Sequence, residues 1–456
     1  MDSRRDFIKK SALLAGAAGL SGMLPFSVQK AFADRGNPLL ASVPPMGWNT
    51  YDCFQGAANE DIIKQIADYM VSSGMKDAGY VYVILDAEWY QDNTTRTNAW
   101  DKYGRLIPDI TKFPSSANGN GFKPLADYIH SKGLKFGFHI FRGMFKDIYN
   151  ANPPVKGTTY HTKNVTDTSN VSSWCIYNYG LNMKHPGAQA YIDAQFELYN
   201  QWGIDFLKID DLVDPYESLE VSGYHTGRAK LKRPILISGS PGGGPNLQHA
   251  ANLQNNMEMW RVTSDVWDHW NDIYKQFDSA RDWAPYTKNG TWADLDMLPF
   301  GQLRDNWGPD PGKVIWTKLT NDEVKTCMTL HCISRSPLIM GGDVRANDAF
   351  TLDVLINRDA LDANKNGSKQ REIYGDASTR KWISTVHGTN IKYLAIFNTG
   401  LTSRVIDQGL VDIGFPEGAL VKDIWNKSES GKITGTFSPT IPAHGVGFYK
   451  LDSPDI

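Results

Sequence analysis

The run FLKIDD, residues 206 to 211, sets Lys208, Asp210 and Asp211 at the end of an otherwise apolar stretch. A strand carrying Phe206, Leu207 and Ile209 belongs in a core, where an unpaired ionised group costs several kcal/mol or more. Such charges either pair as a structural network or stand at a mouth where charge is used, with carboxylates available for acid–base or nucleophilic work. Other apolar runs end alike. VILDAEW (83–89) brings Asp86 and Glu88, KFGFHI (135–140) His139, ILISGS (235–240) Ser240, and EMWRVTSD (258–265) Arg261 and Asp265. Side chains alternate along a strand. Lys208 and Asp210 therefore share one face, and so do Arg261, Thr263 and Asp265. Glu88 joins Asp86 if its strand runs on straight. Parity points Asp211 away from Asp210, which suits a supporting role. A rim of salt bridges, with Lys208 and Arg261 neutralising the aspartates, is the structural alternative.

The elements that must position these residues alternate. Short apolar runs at 46–51, 80–86, 135–140, 205–210, 235–240, 258–265, 292–298 and 337–343 read as strands. Helical patterns lie between them. In NEDIIKQIADYMVSSG (59–74), Ile62, Ile66 and Met70 recur at helical spacing and Gly74 supplies a stop; 122–133, 188–203 and 321–336 read as further helices. Eight strands in repeated β-then-α order predict an α/β fold, a (β/α)8 TIM barrel over residues 34–367, before a doubly wound sheet. In such a barrel the C-terminal ends of the strands carry the active site. No GxGxxG opens a helix after a strand, and the glycine run after Ser240 lacks the lysine of a phosphate-binding loop. After about Lys365 the helical period stops. KWISTVHG, IKYLAIFNTG and GVGFYKL, separated by turn residues, predict a small antiparallel β domain over 368–456.

The N-terminus reads as an export signal. Ser3-Arg4-Arg5-Asp6-Phe7 resembles a twin-arginine motif, Ala12 to Leu24 is apolar but short for a membrane span, and Ala31-Phe32-Ala33 offers a cleavage site. Residues 1–33 are expected to be a signal peptide and the mature protein periplasmic or secreted, with no membrane association after removal. That segment holds five Lys/Arg against two Asp/Glu, so of the total charge of −3 the remainder carries −6, which gives no basic signal for nucleic acid. Cys53, Cys175, Cys327 and Cys332 form no CxxC pair and no zinc-like spacing, so they read as buried thiols. A metal-dependent hydrolase using Asp86, Glu88 and His139 is a remote alternative, and no metal or cofactor is expected.

A resemblance adds to this reading. PPMGWNT (44–50), GRLIPDITKFP (104–114), LADYIHSKGLKFGFH (125–139), WGIDFLKIDD (202–211), MWRVTSD (259–265) and SPLIMGGD (336–343) are similar to glycoside hydrolase family 27, the α-galactosidases and α-N-acetylgalactosaminidases, and closest to bacterial members. The resemblance implies a retaining exo-glycosidase acting on terminal α-D-galactosides of an oligosaccharide or glycoside. Asp210 matches the nucleophile and Asp265 the acid/base, whose pKa should be raised by carboxylate neighbours and desolvation. Lys208 and Arg261 match positions that hold sugar hydroxyls, and Lys208 would also help keep Asp210 ionised. Trp48 matches an apolar wall of the sugar pocket, and His139 falls where many members have a tyrosine. The departure is LDAEW: the family commonly has two adjacent aspartates that bind the O4 and O6 edge of galactose, and here Ala87 follows Asp86. Glu88 would have to compensate. Ser240 replaces a bulkier segment and leaves room beside O2. Members acting on α-GalNAc, isomaltose-type α-glucosides or β-L-arabinopyranosides, and a silent carbohydrate-binding protein on the same barrel, are the alternatives.

Overall fold

The structure, a computed structural model, describes residues 39–172, 174–240, 246–306 and 312–453. The export signal expected at 1–33 and the glycine run from Pro241 to Gly244 lie outside the described residues. Eight strands form one parallel sheet: β1 Met46–Asn49, β2 Tyr82–Leu85, β3 Lys135–Phe141, β4 Phe206–Asp210, β5 Leu236–Gly239, β6 Met259–Arg261, β7 Trp292–Asp294 and β8 Leu338–Met340. Their order is β7-β6-β5-β4-β3-β2-β1-β8. Beyond β7 the chain rejoins β8 through a parallel bridge between Leu298 and Met340, which closes the sheet into a barrel. Each of the eight apolar runs supplies one strand. Buried on both faces, these strands read as continuous apolar segments rather than alternating ones.

Helices cover the outside. α1 Glu60–Ser72 starts because the Asn59 side chain accepts the Ile62 N–H at 3.0 Å and two acids occupy the first turn. It buries Ile63, Ile66, Ala67 and Met70. α2 Lys123–Ser131 takes a proline in its first turn, and α3 Pro186–Trp202 ends at Gly203 with φ 81°. α4 Ser218–Ala229, α5 Ala250–Asn256 and α6 Trp270–Trp283 follow. α7 Asn321–Ser334 opens on a capping box between Thr320 and Glu323, and α8 Arg358–Asn366 ends the barrel. One glycine bears on the site. A Cβ on Gly137 would lie 2.4 Å from the carbonyl oxygen of Phe206, so glycine lets β3 seat against β4 in the register that pairs His139 with Lys208 and Phe141 with Asp210.

The chain then turns antiparallel. Strands β9 Gly367–Gly375, β10 Thr379–Val386, β11 Lys392–Asn398, β12 Ala419–Asp423, β13 Ser428–Ile433 and β14 Val446–Asp452 form a sheet in the order β9-β10-β11-β14-β12-β13. Strand alternation gives it two apolar faces. Tyr393, Ala395 and Phe397 join the barrel's core, while Leu394 and Ile396 pack into a second core with Ile406, Leu410 and Phe415. Polar contacts also tie the sheet to the barrel. Trp425 Nε1 donates to Thr329 Oγ1 on α7 at 2.9 Å, and the His444 ring stacks on Trp270 at 3.9 Å. All four cysteines are buried free thiols.

Candidate active site

A cavity of about 460 Å³ opens at the C-terminal ends of the strands. Its lining collects the polar residues that end them: Asp86 after β2, His139 on β3, Lys208 and Asp210 on β4 and Arg261 on β6 at the floor, and Asp265 four residues on, nearer the opening. Parity explains the grouping. Lys208 and Asp210 turn to the cavity, whereas Leu207 and Ile209 are fully buried in the core outside it.

The Asp210 carboxylate is fixed at both oxygens. Oδ1 accepts the backbone N–H of Asp211 at 3.0 Å, and Oδ2 lies 3.2 Å from His139 Nε2. Burial alone would raise its pKa, but the His139 hydrogen bond and the positive side chains of Lys208 and Arg261 outweigh it and hold the carboxyl below its ordinary range. Asp86 is also held low: burial is outweighed by Lys208, whose ammonium is 2.8 Å from Oδ2, and by His139 and the Asn49 amide, which donates at 2.7 Å. Burial would lower Lys208, but Asp86 and Asp210 more than reverse this and hold it raised. Asp86 is the nearer partner, so the lysine ties two strands together at the cavity floor while its charge favours ionised Asp210. Arg261 bridges Asp265 and, at 3.1 Å, Asp296.

Asp265 stands apart from its expected environment. Its side chain is 58% exposed, and it is paired with the Arg261 guanidinium, which also holds Asp296. It marks the cavity's opening.

Three expected site residues do not line this cavity. Trp48 is fully buried, its indole N–H donating to the carbonyl of Gly342 at 2.8 Å. β1 ends at Asn49 and a short helical turn begins at Tyr51, and Tyr51, not the tryptophan that the resemblance pointed to, is the aromatic that lines the cavity there. Glu88 has φ 67°, so the strand does not continue straight; its carboxylate turns to Arg96, at 2.7 and 3.0 Å. It therefore does not compensate for Ala87, which lines the cavity beside Asp86 with no polar side-chain atom. Ser240 lies beneath the floor, in a separate pocket of about 20 Å³ shared with Asn49, Lys208, Arg261 and Asp294. Asp211, as parity implied, faces elsewhere: its carboxylate pairs with buried Arg142 at 3.0 Å.

Other lining residues carry little sequence signal. Tyr51 and Trp267 approach each other at 6.4 Å, and Phe141, Trp174 and Met297 complete the apolar part. Two acids join from beneath. Asp296, with φ 85°, accepts the Val266 N–H at 2.8 Å. Asp52 is buried, and among the described residues its Oδ2 has no hydrogen-bond partner; burial, and then the charge of Asp296, hold its carboxyl well above the usual range. The alternating acids of WADLDML were the available signal for Asp296. Among the described residues no cluster of three or more His, Cys, Asp or Glu is arranged to hold a metal ion.

Comparison with known proteins places this geometry. A family model described as Alpha galactosidase A matches residues 43–176 and 175–366, and one described as Alpha galactosidase C-terminal beta sandwich domain matches 377–451. The α-galactosidase of Cyamopsis tetragonoloba is 27% identical over 432 residues, 93% of this chain and 89% of that protein. A variant of a family 27 β-L-arabinopyranosidase from Geobacillus stearothermophilus, solved with arabinose, superposes with a TM-score of 0.88 at 36% identity, covering 91% of this chain and 98% of that one. A putative α-N-acetylgalactosaminidase from Bacillus halodurans gives 0.81 at 32% identity, covering 90% and 97%. The chain belongs to glycoside hydrolase family 27 and is a glycoside hydrolase.

Proposed function

We propose that this hydrolase is a retaining exo-glycosidase for terminal pyranosides of the galacto configuration, and that it prefers β-L-arabinopyranosides to α-D-galactosides. Asp210 is the nucleophile. It is held ionised and oriented by His139 and the Asp211 N–H, and it forms the glycosyl–enzyme bond as Asp265 protonates the departing oxygen. Asp265 then takes a proton from water, which releases the sugar with its anomeric configuration retained. The exposure of Asp265 gives both leaving group and water access to it.

The observation that carries the preference is Ala87. The two glycosides share their ring configuration from C2 to C4 and differ by the hydroxymethyl group on C5, which only the galactoside has. Asp86 remains to accept from O4, but the position expected to accept from O6 is a methyl group. A buried hydroxyl without its partner costs about 1–3 kcal/mol, or roughly five- to 150-fold in rate ratio. The arabinopyranoside has no such hydroxyl to satisfy. The 36% identity to the β-L-arabinopyranosidase supports the same reading. The match to the α-galactosidase family models favours the second reading, a plain α-D-galactosidase.

The test is kcat/KM on matched aryl glycosides of both sugars, for the wild type and for Ala87→Asp. The expected result is a preference of roughly tenfold or more for the arabinopyranoside, narrowed or reversed by the new carboxylate. A wild-type preference for the galactoside rejects the assignment. We also infer export before action, from the paired arginines at 4 and 5. Fractionation of cells expressing the full chain and an Arg4→Lys, Arg5→Lys variant tests this, and equal distribution of the two rejects it.

A further inference from the structure

The cavity is graded from floor to rim. At the floor Asp86 and Arg261 are buried and Lys208 and Asp210 are only slightly exposed, while the opening is marked by Asp265 on one side and by Trp174, 45% exposed, on another. Among the described residues lining the cavity, Trp174 is the one exposed aromatic. Its loop is braced. Thr166–Asp167 and Asn178–Leu181 pair antiparallel at its base, and Met144–Phe145 adds a third strand. Ser172 Oγ accepts the backbone N–H groups of both Trp174 and Cys175, at 3.3 and 3.2 Å. The indole packs on Phe141 at 5.9 Å, and Phe141 is the register partner of Asp210. A large apolar ring is thus held at the mouth, beside the strand that carries the nucleophile, with much of its surface facing solvent.

We infer that Trp174 is the platform for the leaving group: a second pyranose, linked to the terminal sugar, lies with its apolar face against the indole. This platform rests on the roles proposed for Asp210 and Asp265. The scissile oxygen must reach Asp265 at the opening, so whatever is attached to that oxygen emerges at the rim, where Trp174 stands. A pyranose presents a face of C–H groups, and covering that face and the exposed indole removes apolar area from water. In a two-step reaction the same platform receives the acceptor when a sugar replaces water in the second step.

The experiment compares a glycosyl fluoride, whose leaving group is too small to touch the platform, with a disaccharide carrying the same terminal sugar. Both the arabinosyl and galactosyl series are run on the wild type, Trp174→Ala and Trp174→Phe. The expected result is that the disaccharide-to-fluoride ratio of kcat/KM falls roughly ten- to fiftyfold in Trp174→Ala and recovers in large part in Trp174→Phe. Transfer to an added sugar acceptor should fall in parallel. Equal losses on fluoride and disaccharide would mean that Trp174 only supports the loop, and an unchanged ratio would mean that it does not meet the leaving group; either overturns the platform and leaves the function standing. Failure of the wild type to hydrolyse any of the fluorides would overturn the function and the platform together.

Discussion

Removing the hydrogen bond at Asp210 should move the acid limb of the pH–rate profile upward. The relevant donor is His139, fully buried and 3.2 Å from Oδ2. In the proposed mechanism Asp210 attacks only as the carboxylate, and its lowered pKa keeps that form populated to lower pH. In His139→Phe the donor disappears, burial is left less opposed, and the pKa rises. A hydrogen bond to an ionised group contributes about 1.5–3 kcal/mol. At 1.36 kcal/mol per unit, this is a rise of about one to two units. The assay is kcat/KM against pH on a glycosyl fluoride, which reports the free enzyme. The acid limb should shift to higher pH in His139→Phe and much less in His139→Gln, which keeps a side-chain donor. An acid limb that stays in place in the phenylalanine variant would refute the claim that His139 holds Asp210 ionised.

Loss of the acid should depend on the leaving group. Asp265→Ala should hydrolyse a dinitrophenyl glycoside far better than a disaccharide, and azide should enter the vacated space to give a glycosyl azide of retained configuration; equal damage on both substrates would count against Asp265 as the acid. Stability should show the mark of Glu220, buried beside Arg142 at 2.9 Å with its carboxyl pushed up to about 7, mainly by burial. Because the folded state holds this proton more tightly than the unfolded one, stability falls as pH rises from about 4.5 to 7, by about 2–3 kcal/mol. In Glu220→Gln the drop in Tm between pH 5 and pH 8 should shrink, and an identical drop in variant and wild type would show that another group is responsible.

The eight strands were legible because burial on both faces of a closed parallel sheet leaves a run of apolar residues. The polar residues that end the runs at β2, β3, β4 and β6 then mark the mouth, while Ser240, at the end of β5, lies beneath it. Asp86, His139, Lys208, Asp210, Arg261 and Asp265 could be named for that reason, and all six line the cavity. Parity worked while the backbone stayed extended, as at Lys208 and Asp210. It failed where the chain left the strand, at Glu88, where a positive φ redirects the side chain to Arg96. The resemblance pointed to Trp48, three residues before Tyr51, the aromatic that lines the cavity. Trp174 was hidden for a different reason. It sits on a long excursion after β3 with no barrel periodicity, and only the folded loop shows that it returns to the rim. Exposure of Asp265 was equally unreadable, since a local sequence does not specify how deep in a mouth a side chain stands.

The central claim is that Asp210 forms a covalent bond to the sugar. Incubation with a 2-deoxy-2-fluoro glycosyl fluoride of the preferred sugar should slow the second step more than the first and let the intermediate accumulate, because an electronegative substituent destabilises both oxocarbenium-like transition states while fluoride remains a good leaving group. Digestion and mass spectrometry should then locate one added sugar on the peptide containing Asp210, with no label in Asp210→Ala. A label on Asp265 or another residue, or steady turnover in Asp210→Ala, would contradict the account.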